Sequence, residues 1–304
     1  MSELRRGYLF GLLAYVCWGF FPLYWHLLAS AGAVEILAHR VLWSVAFVAL
    51  LLAVKRHWSW LRALPLRTVL GITAASVVLA VNWGFYIYGV NAHRVVETSL
   101  GYFINPLFNV LLGVLVLRER LRPWQWGALA VGAAAVGVLT YDYGHPPYIA
   151  LTLATSFALY GFIKKRLGVP AAEGMFVESA VLALPALGYL AWLTADGGAT
   201  FTGHGLGHTL LLIGGGAATA IPLLFFAGAA NRLPLSTIGI LQYIAPVLQL
   251  ACGVLILGES LPPLRLAGFS LVWLALVIFT VDGLRSARRT RQATQAAALA
   301  STAA

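Results

Sequence analysis

Two stretches of the sequence decide the fold: INPLFNVLLGVLVLRERLRP at residues 104–123 and IAPVLQLACGVLILGESLPP at residues 244–263. They align at an offset of 140 residues and are identical at nine of 20 positions. The identities include Pro106 with Pro246 and Glu119 with Glu259. Chance similarity between Leu- and Val-rich helices does not explain them. The chain therefore contains an internal repeat.

The composition surrounding these stretches is that of a membrane protein. Of 304 residues, 61% are hydrophobic and 10% are charged, and the mean hydropathy is +0.86. An ordinary soluble domain has about 25% charged residues. Soluble globular, disordered, collagen-like and disulfide-scaffold classes are thereby excluded. Ten apolar runs are each long enough to cross a bilayer, which takes about 20 residues. We predict spans at 8–29, 34–54, 69–90, 97–117, 124–141, 147–163, 174–194, 209–230, 236–257 and 264–282.

The first run has a second interpretation. Ala29-Ser30-Ala31 resembles a signal-peptidase site, so a cleaved signal peptide is an alternative to a first span. The run is longer than a signal-peptide core of about 7–15 residues, which favours a span.

The repeat and the span count together predict the architecture. Each repeat holds five spans, an odd number, so the second copy enters the membrane from the opposite side. We predict an all-α integral membrane protein of ten transmembrane helices in two inverted five-helix repeats, residues 1–145 and 146–284. Residues 285–304 are predicted to be a disordered cytoplasmic tail. Inverted repeats are typical of carriers that work by alternating access, with the substrate near the membrane midplane.

Charge placement predicts orientation and partners. Seventeen of the 20 Lys and Arg residues lie on the side of both termini, which predicts cytoplasmic termini in the plasma (inner) membrane. The net charge of +10 therefore indicates topology and the lipid bilayer, with no nucleic-acid partner. The sequence has no G-x-x-x-x-G-K-[ST] loop and no metal-binding motif, so we expect no cofactor, no metal and no ATP hydrolysis.

Polar side chains recur at helical spacing in the fourth and ninth spans, on matching positions of the two repeats. We predict that this face, with one amide of the third span, lines the substrate pathway. Interhelical hydrogen bonds that only pack the helices are the alternative. Two prolines in these spans are predicted to kink the helices, either to expose backbone to the pathway or only to shape packing. The pathway residues are Asn82, Tyr102, Asn105, Asn109, Gln242 and Gln249, and the kinks are at Pro106 and Pro246.

Charged residues near the outer ends of spans form a second predicted group. Arg40 lies about two turns inside the second span, where a cation needs a partner or water, and Glu97 is a hypothetical partner. With Glu35 and His39 these residues are a predicted gate or proton-coupling cluster; anchoring at lipid headgroups is the alternative. Glu259 and its repeat counterpart Glu119 are predicted to bond turn amides.

Several segments resemble one family. EILAHR at 35–40, LGYFINP at 100–106 and FALYG at 157–161 resemble the RarD family, part of the EamA group of the drug/metabolite transporter superfamily. The resemblance covers residues 4–282 in order. It implies a ten-helix inverted-repeat permease of the inner membrane that exports small solutes.

These observations predict a secondary transporter and not an enzyme. It would export small metabolites, amino-acid-like solutes or drugs by alternating access, with protons as a coupling ion. A passive facilitator or channel and an intramembrane enzyme are the alternatives. The sequence offers no convergent acid, base or nucleophile set for the enzyme.

Overall fold

The computed structural model describes residues 2–54, 58, 60–61, 64–118 and 120–303, without the side chains of 117, 171–172, 235–236, 287–291 and 293–303. Within these residues the chain forms twelve α-helices and one π-helical segment, Cys252–Ile256. The α-helices are α1 (Glu3–Gly19), α2 (Phe21–His26), α3 (Ala33–Val54), α4 (Leu66–Asn91), α5 (Val95–Leu117), α6 (Pro123–Tyr143), α7 (Tyr148–Leu167), α8 (Ala171–Ala195), α9 (Gly205–Ala230), α10 (Leu235–Leu241), α11 (Ile244–Ala251) and α12 (Pro263–Ala303).

These helices group into ten consecutive segments, which correspond in order to the ten predicted spans. The first segment is α1 followed by α2, the ninth is α10, α11 and the π segment, and every other segment is one helix. The ten-helix, two-repeat membrane fold predicted from the sequence is confirmed. Eight segments in the described residues are long and apolar enough to cross a membrane: Glu3–His26, Ala33–Val54, Leu66–Asn91, Val95–Val116, Glu173–Ala195, Gly205–Ala230, Thr237–Ile256 and Pro263–Ser286.

A proline accounts for the interruption of the first segment. Pro22 has no N–H, so the Trp18 carbonyl lacks the donor that the residue four positions later normally supplies. The side-chain Nε2 of Gln249, on α11, donates to that carbonyl at 3.0 Å. A side chain from the second repeat thus satisfies a backbone group that the break in the first repeat leaves available.

The two predicted kink positions differ in their surroundings. Pro106 lies inside α5, which stays helical on both sides of it. In the second repeat α10 ends at Leu241 and α11 begins at Ile244, so the helix is interrupted just before Pro246. Both prolines are buried.

The chain divides into two compact units, and the larger one holds the residues discussed below. It comprises Met1–Asn105 and Ile149–Ser260. In it α3 packs against α8 and α9, and α1 packs against α9 and α11. Its largest buried side chain is Trp25, which lies in a hydrophobic cluster with Leu28 and Ile36.

The smaller unit comprises Pro106–Tyr148 and Leu261–Ala304, in which α6 packs along α12. Two ion pairs reinforce this packing, each at 2.8 Å: Arg122, which directly precedes α6, pairs with Asp282, and Arg265 pairs with Asp142.

Each unit contains segments of both repeats, so the division into residues 1–145 and 146–284 stays a prediction. The last helix continues to Ala303, through the residues for which the sequence predicts a disordered tail. The alanine content of that stretch explains the helical backbone, because alanine has the highest intrinsic helix propensity.

Candidate transport site

Arg40 lies in the middle of an aromatic cluster built from several helices of the larger unit. Its side chain is 4% exposed, and its Nε donates to Thr219 Oγ1 on α9 at 2.8 Å. The guanidinium carbon lies 3.9 Å from the ring centroid of Trp83 on α4 and 5.1 Å from that of Trp25 on α2. These distances are typical of cation–π contacts. Phe21 adds a more distant ring at 5.9 Å.

No carboxylate pairs with Arg40 among the described residues. Glu97, its hypothetical partner, pairs with Arg94 at 2.6 Å and accepts a hydrogen bond from the Ile149 backbone N–H at 2.9 Å. Ile149 is in the first turn of α7, where backbone N–H groups lack intrahelical acceptors and attract carboxylates. Glu97 therefore joins the start of α5 to the start of α7.

Glu35 and His39 lie in an environment different from that of Arg40. The Glu35 carboxylate accepts a hydrogen bond from the Thr200 backbone N–H at 2.7 Å. The His39 ring stacks on Phe201, with the centroids 4.7 Å apart. Both contacts are with the loop between α8 and α9. The structure thus distributes Glu35, His39, Arg40 and Glu97 over three sets of partners, and their role in gating or coupling stays a prediction.

The same loop is held by a histidine at the start of α9. His208 Nε2 lies 2.8 Å from Thr200 Oγ1, and its Nδ1 lies 3.4 Å from Ser30 Oγ. The ring of His204 is 5.3 Å from that of His208. Across the described residues, no group of three or more His, Cys, Asp or Glu side chains could hold a metal ion.

Asn82 is the centre of a polar network that joins three helices. Its side-chain nitrogen donates to the Leu153 carbonyl at 3.0 Å and to Ser156 Oγ at 2.9 Å, both on α7. The Tyr102 hydroxyl on α5 donates to Asn82 Oδ1 at 3.3 Å. Asn105, one turn further along α5, donates to the Ala154 carbonyl at 3.1 Å. The structure therefore brings together three of the six predicted pathway residues.

The other three predicted pathway residues lie elsewhere. Asn109 is exposed and belongs to the smaller unit. Gln242 is half-buried at the end of α10. Gln249 is buried against α1, where Nε2 bonds the Trp18 carbonyl and Oε1 has no hydrogen-bond partner among the described residues.

Tyr86 connects the Arg40 cluster to the Asn82 network. Its ring contacts that of Tyr102 at 5.7 Å, and it follows Asn82 by one helical turn on α4. Its hydroxyl is buried without a hydrogen-bond partner in the described part of the chain. Neither the contacts of Arg40 with Thr219 and Trp83 nor the place of Tyr86 beside Tyr102 was predicted from the sequence. The four-residue spacing of Asn82 and Tyr86 was the available signal.

Two further glutamates have well-defined partners. Glu178, on α8, pairs with Lys164 at 2.8 Å and accepts from the Tyr160 hydroxyl at 3.3 Å. Glu259 accepts from the backbone N–H groups of Val95 at 2.5 Å and Val96 at 2.8 Å. Its structural role follows the prediction, although the amides belong to the start of α5 rather than to its own turn. Glu119, its repeat counterpart, is outside the described residues.

Similarity to known proteins identifies the family. Residues 5–141 match the EamA-like transporter family. Protein RarD of Streptomyces exfoliatus is 57% identical over 98% of this chain and 95% of its own length. This chain belongs to the RarD family. An uncharacterized transporter of Pseudomonas aeruginosa is 43% identical over 96% of this chain and 98% of its own. This RarD-family chain is therefore a multi-pass membrane transporter and not an enzyme, as the sequence predicted.

A solved structure shares the fold of this RarD-family chain. It is 20% identical in sequence, has a TM-score of 0.59, and covers 92% of this chain and 98% of its own. At that identity the likeness concerns the fold alone.

Proposed function

We propose that this RarD-family protein is a secondary transporter that exports a small metabolite by alternating access. The observation that carries the proposal is the Asn82 network. It consists of buried amide and hydroxyl groups on α4 and α7 and the half-buried Tyr102 hydroxyl on α5 of a membrane-spanning fold. Polar side chains are expensive in hydrocarbon and usually face a partner or a transport path.

The inverted repeats support alternating access as the mechanism. Two halves of opposite orientation can exchange conformations, so that a central site opens first to one side and then to the other. In this proposal Asn82, Tyr102 and Asn105 bind the solute, exchanging some of their interhelical hydrogen bonds for bonds to it. Asn109, Gln242 and Gln249 line the rest of the path, and Pro106 and Pro246 kink the helices that carry them.

The proposal also covers the direction of transport, the membrane in which the protein lies and the ion that drives transport. The bias of Lys and Arg supports cytoplasmic termini in the inner membrane, and the RarD resemblance supports export. Protons are the proposed coupling ion, and Glu35, His39, Arg40 and Glu97 are the proposed gate or coupling residues. The ion pair of the buried Glu178 with the half-buried Lys164 supports a second gate on α7 and α8.

A transport assay tests the proposal. The protein is reconstituted in liposomes containing a pH-sensitive dye, and amino acids, aromatic metabolites and chloramphenicol are added one at a time. A saturable, solute-dependent pH change is expected for a proton-coupled transporter. Labelled solute that equilibrates with saturation and no pH change would indicate a uniporter. Non-saturable flux without accumulation would favour the passive facilitator instead.

Asn82→Ala is the first variant to measure in this assay. Loss of the amide removes two donor contacts to α7 and the acceptor of Tyr102, so we expect about a tenfold lower transport rate. Asn91→Ala is the matched control on the same helix, because Asn91 also donates to a backbone carbonyl, that of Ala31 at 3.2 Å. Its rate should stay within about twofold of the unmodified protein. Equal rates for the two variants would contradict a pathway role for Asn82.

A further inference from the structure

The environment of Arg40 contains a buried positive charge and no negative charge to balance it. Among the described residues no carboxylate forms an ion pair with the guanidinium, and the groups that contact it are the neutral hydroxyl of Thr219 and the rings of Trp25 and Trp83. An unpaired charge is costly to bury, and cation–π contact with Trp83 offsets only part of that cost. The site therefore lacks a negative charge, which a bound anion would supply.

We propose that Arg40 binds the carboxylate of the transported solute, and that the solute is a small monocarboxylate with a flat apolar body. This inference rests on the proposed transport function and names its substrate class. It assigns Arg40 to solute binding rather than to pairing with a protein carboxylate.

The hydrogen bonding of the guanidinium supports a carboxylate. Thr219 Oγ1 accepts from Nε, and it also donates to the Gly215 carbonyl at 2.8 Å, which fixes its orientation. Nη1 and Nη2 have no hydrogen-bond partner among the described residues. These two nitrogens form a planar fork whose spacing matches the two oxygens of a carboxylate.

The surrounding rings support a flat apolar body. The rings of Phe21, Trp25 and Trp83 surround the guanidinium, and Tyr86 belongs to the same buried cluster as Phe21 and Trp25. Planar groups stack favourably on such rings. The Trp25 Nε1 and the Tyr86 hydroxyl are buried without hydrogen-bond partners in the described residues. They offer donors for one further acceptor atom on the solute, since a buried polar group without a partner is destabilising.

The charge balance narrows the solute class. One guanidinium neutralises one negative charge, so a dianionic phosphate would leave an unbalanced charge in the membrane interior. The ammonium group of an amino acid would need a carboxylate, whereas the described groups that contact Arg40 are a hydroxyl and aromatic rings. The site therefore suits a monoanion better than a phosphate or a zwitterion.

Binding of simple probes tests this assignment. Tryptophan fluorescence of the full-length protein in detergent is titrated with benzoate, benzamide, phenylalanine and inorganic phosphate. Trp25 and Trp83 are next to Arg40, so benzoate should change the emission saturably. Benzamide and phosphate should not compete with it, and phenylalanine should compete weakly. Equal binding of benzamide and benzoate, or binding of phosphate alone, would overturn the proposal.

Variants of Arg40 locate the binding. Arg40→Gln should weaken benzoate binding by about tenfold or more, and Arg40→Lys should cause a smaller loss because it keeps the charge without the fork. Arg265→Gln is the control: it removes a half-buried arginine of the smaller unit that pairs with Asp142, whereas Arg40 is buried and has no carboxylate partner among the described residues. Unchanged benzoate affinity in Arg40→Gln would refute the assignment.

A stability measurement separates solute binding from a structural role. Replacing an unpaired buried charge by an apolar residue of similar length should not destabilise a protein. Arg40→Met should therefore melt at or above the temperature of the unmodified protein in the absence of solute. A clearly lower melting temperature would show that Arg40 holds the helices together, and would reject the proposal.

The same preparations distinguish this inference from the transport proposal. If benzoate binding depends on Arg40 but labelled benzoate does not exchange in liposomes, the anion site stands and transport by it fails. If a neutral solute is carried with saturation while benzoate does not bind, transport stands and the monocarboxylate class fails.

Discussion

Glu259 shows how a single side chain connects distant parts of this chain. It follows the π segment in the second repeat, and its two oxygens accept from successive backbone N–H groups at the start of α5 in the first repeat. The first N–H groups of a helix have no intrahelical acceptor, so a carboxylate placed there satisfies two of them and also interacts favourably with the helix dipole.

Glu259→Ala is expected to lower the free energy of unfolding by about 1–2 kcal/mol, because two N–H groups of α5 lose their acceptor. Thermal unfolding in detergent measures the change. The control is Glu3→Ala, whose carboxylate pairs with Arg6 and Arg232 at an exposed position. That control should melt like the unmodified protein, and an equal loss in both variants would contradict the capping role.

At the scale of helices, close contact between α3 and α9 depends on one glycine. A Cβ built at Gly216 would overlap the backbone carbonyl group of Trp43 and lie 2.7 Å from its Cβ. Contact with backbone cannot be relieved by rotating a side chain, so the two helices can approach this closely only with glycine at that position. Thr219, which bonds Arg40, lies one turn further along α9.

Gly216→Ala should therefore separate α3 from α9 and cost about 1–3 kcal/mol of stability, the usual penalty of overpacking. Gly215→Ala is a matched control, because a Cβ there would lie 3.7 Å from its nearest neighbour, an ordinary contact with Trp25. The two variants differ by one position and make the same chemical change. If the melting temperature falls equally in both variants, Gly216 is not needed for the close approach of α3 to α9.

At the scale of the whole molecule, the excess of Lys and Arg on the side of both termini predicts an orientation in the membrane that can be tested. Cys17 and Cys252 are first replaced by alanine, and single cysteines are then introduced as Gly203→Cys or Arg285→Cys. Gly203 lies in the exposed loop between α8 and α9, and Arg285 is near the cytoplasmic side in the predicted topology. An impermeant maleimide should label Gly203→Cys in intact cells and Arg285→Cys only after lysis. The reverse pattern would invert the predicted topology.

Periodic features of this chain were predictable, whereas most long-range partners were not. Spacing alone placed Tyr102 and Asn105 on one helix face, and the structure shows both bonding to neighbouring helices. The Arg40 contacts depend on packing between helices distant in sequence, since Thr219 is 179 residues away. Glu97 had a visible local partner, because Arg94 precedes it by three residues, the spacing of neighbours on a helix surface.

The contacts of Arg40 also affect how the chain is made. Helices enter the membrane in chain order, so α3 is inserted before Trp83 has followed it and long before Thr219. On the scale of insertion experiments, an arginine at a helix centre costs about 2.5–3.5 kcal/mol, which is an upper bound for Arg40, about two turns inside α3. The apolar residues of α3 must offset that cost during synthesis, until α4 brings the indole ring of Trp83. We therefore expect stable insertion of α3 to require α4, and the full set of contacts around Arg40 to form only once α9 has been inserted.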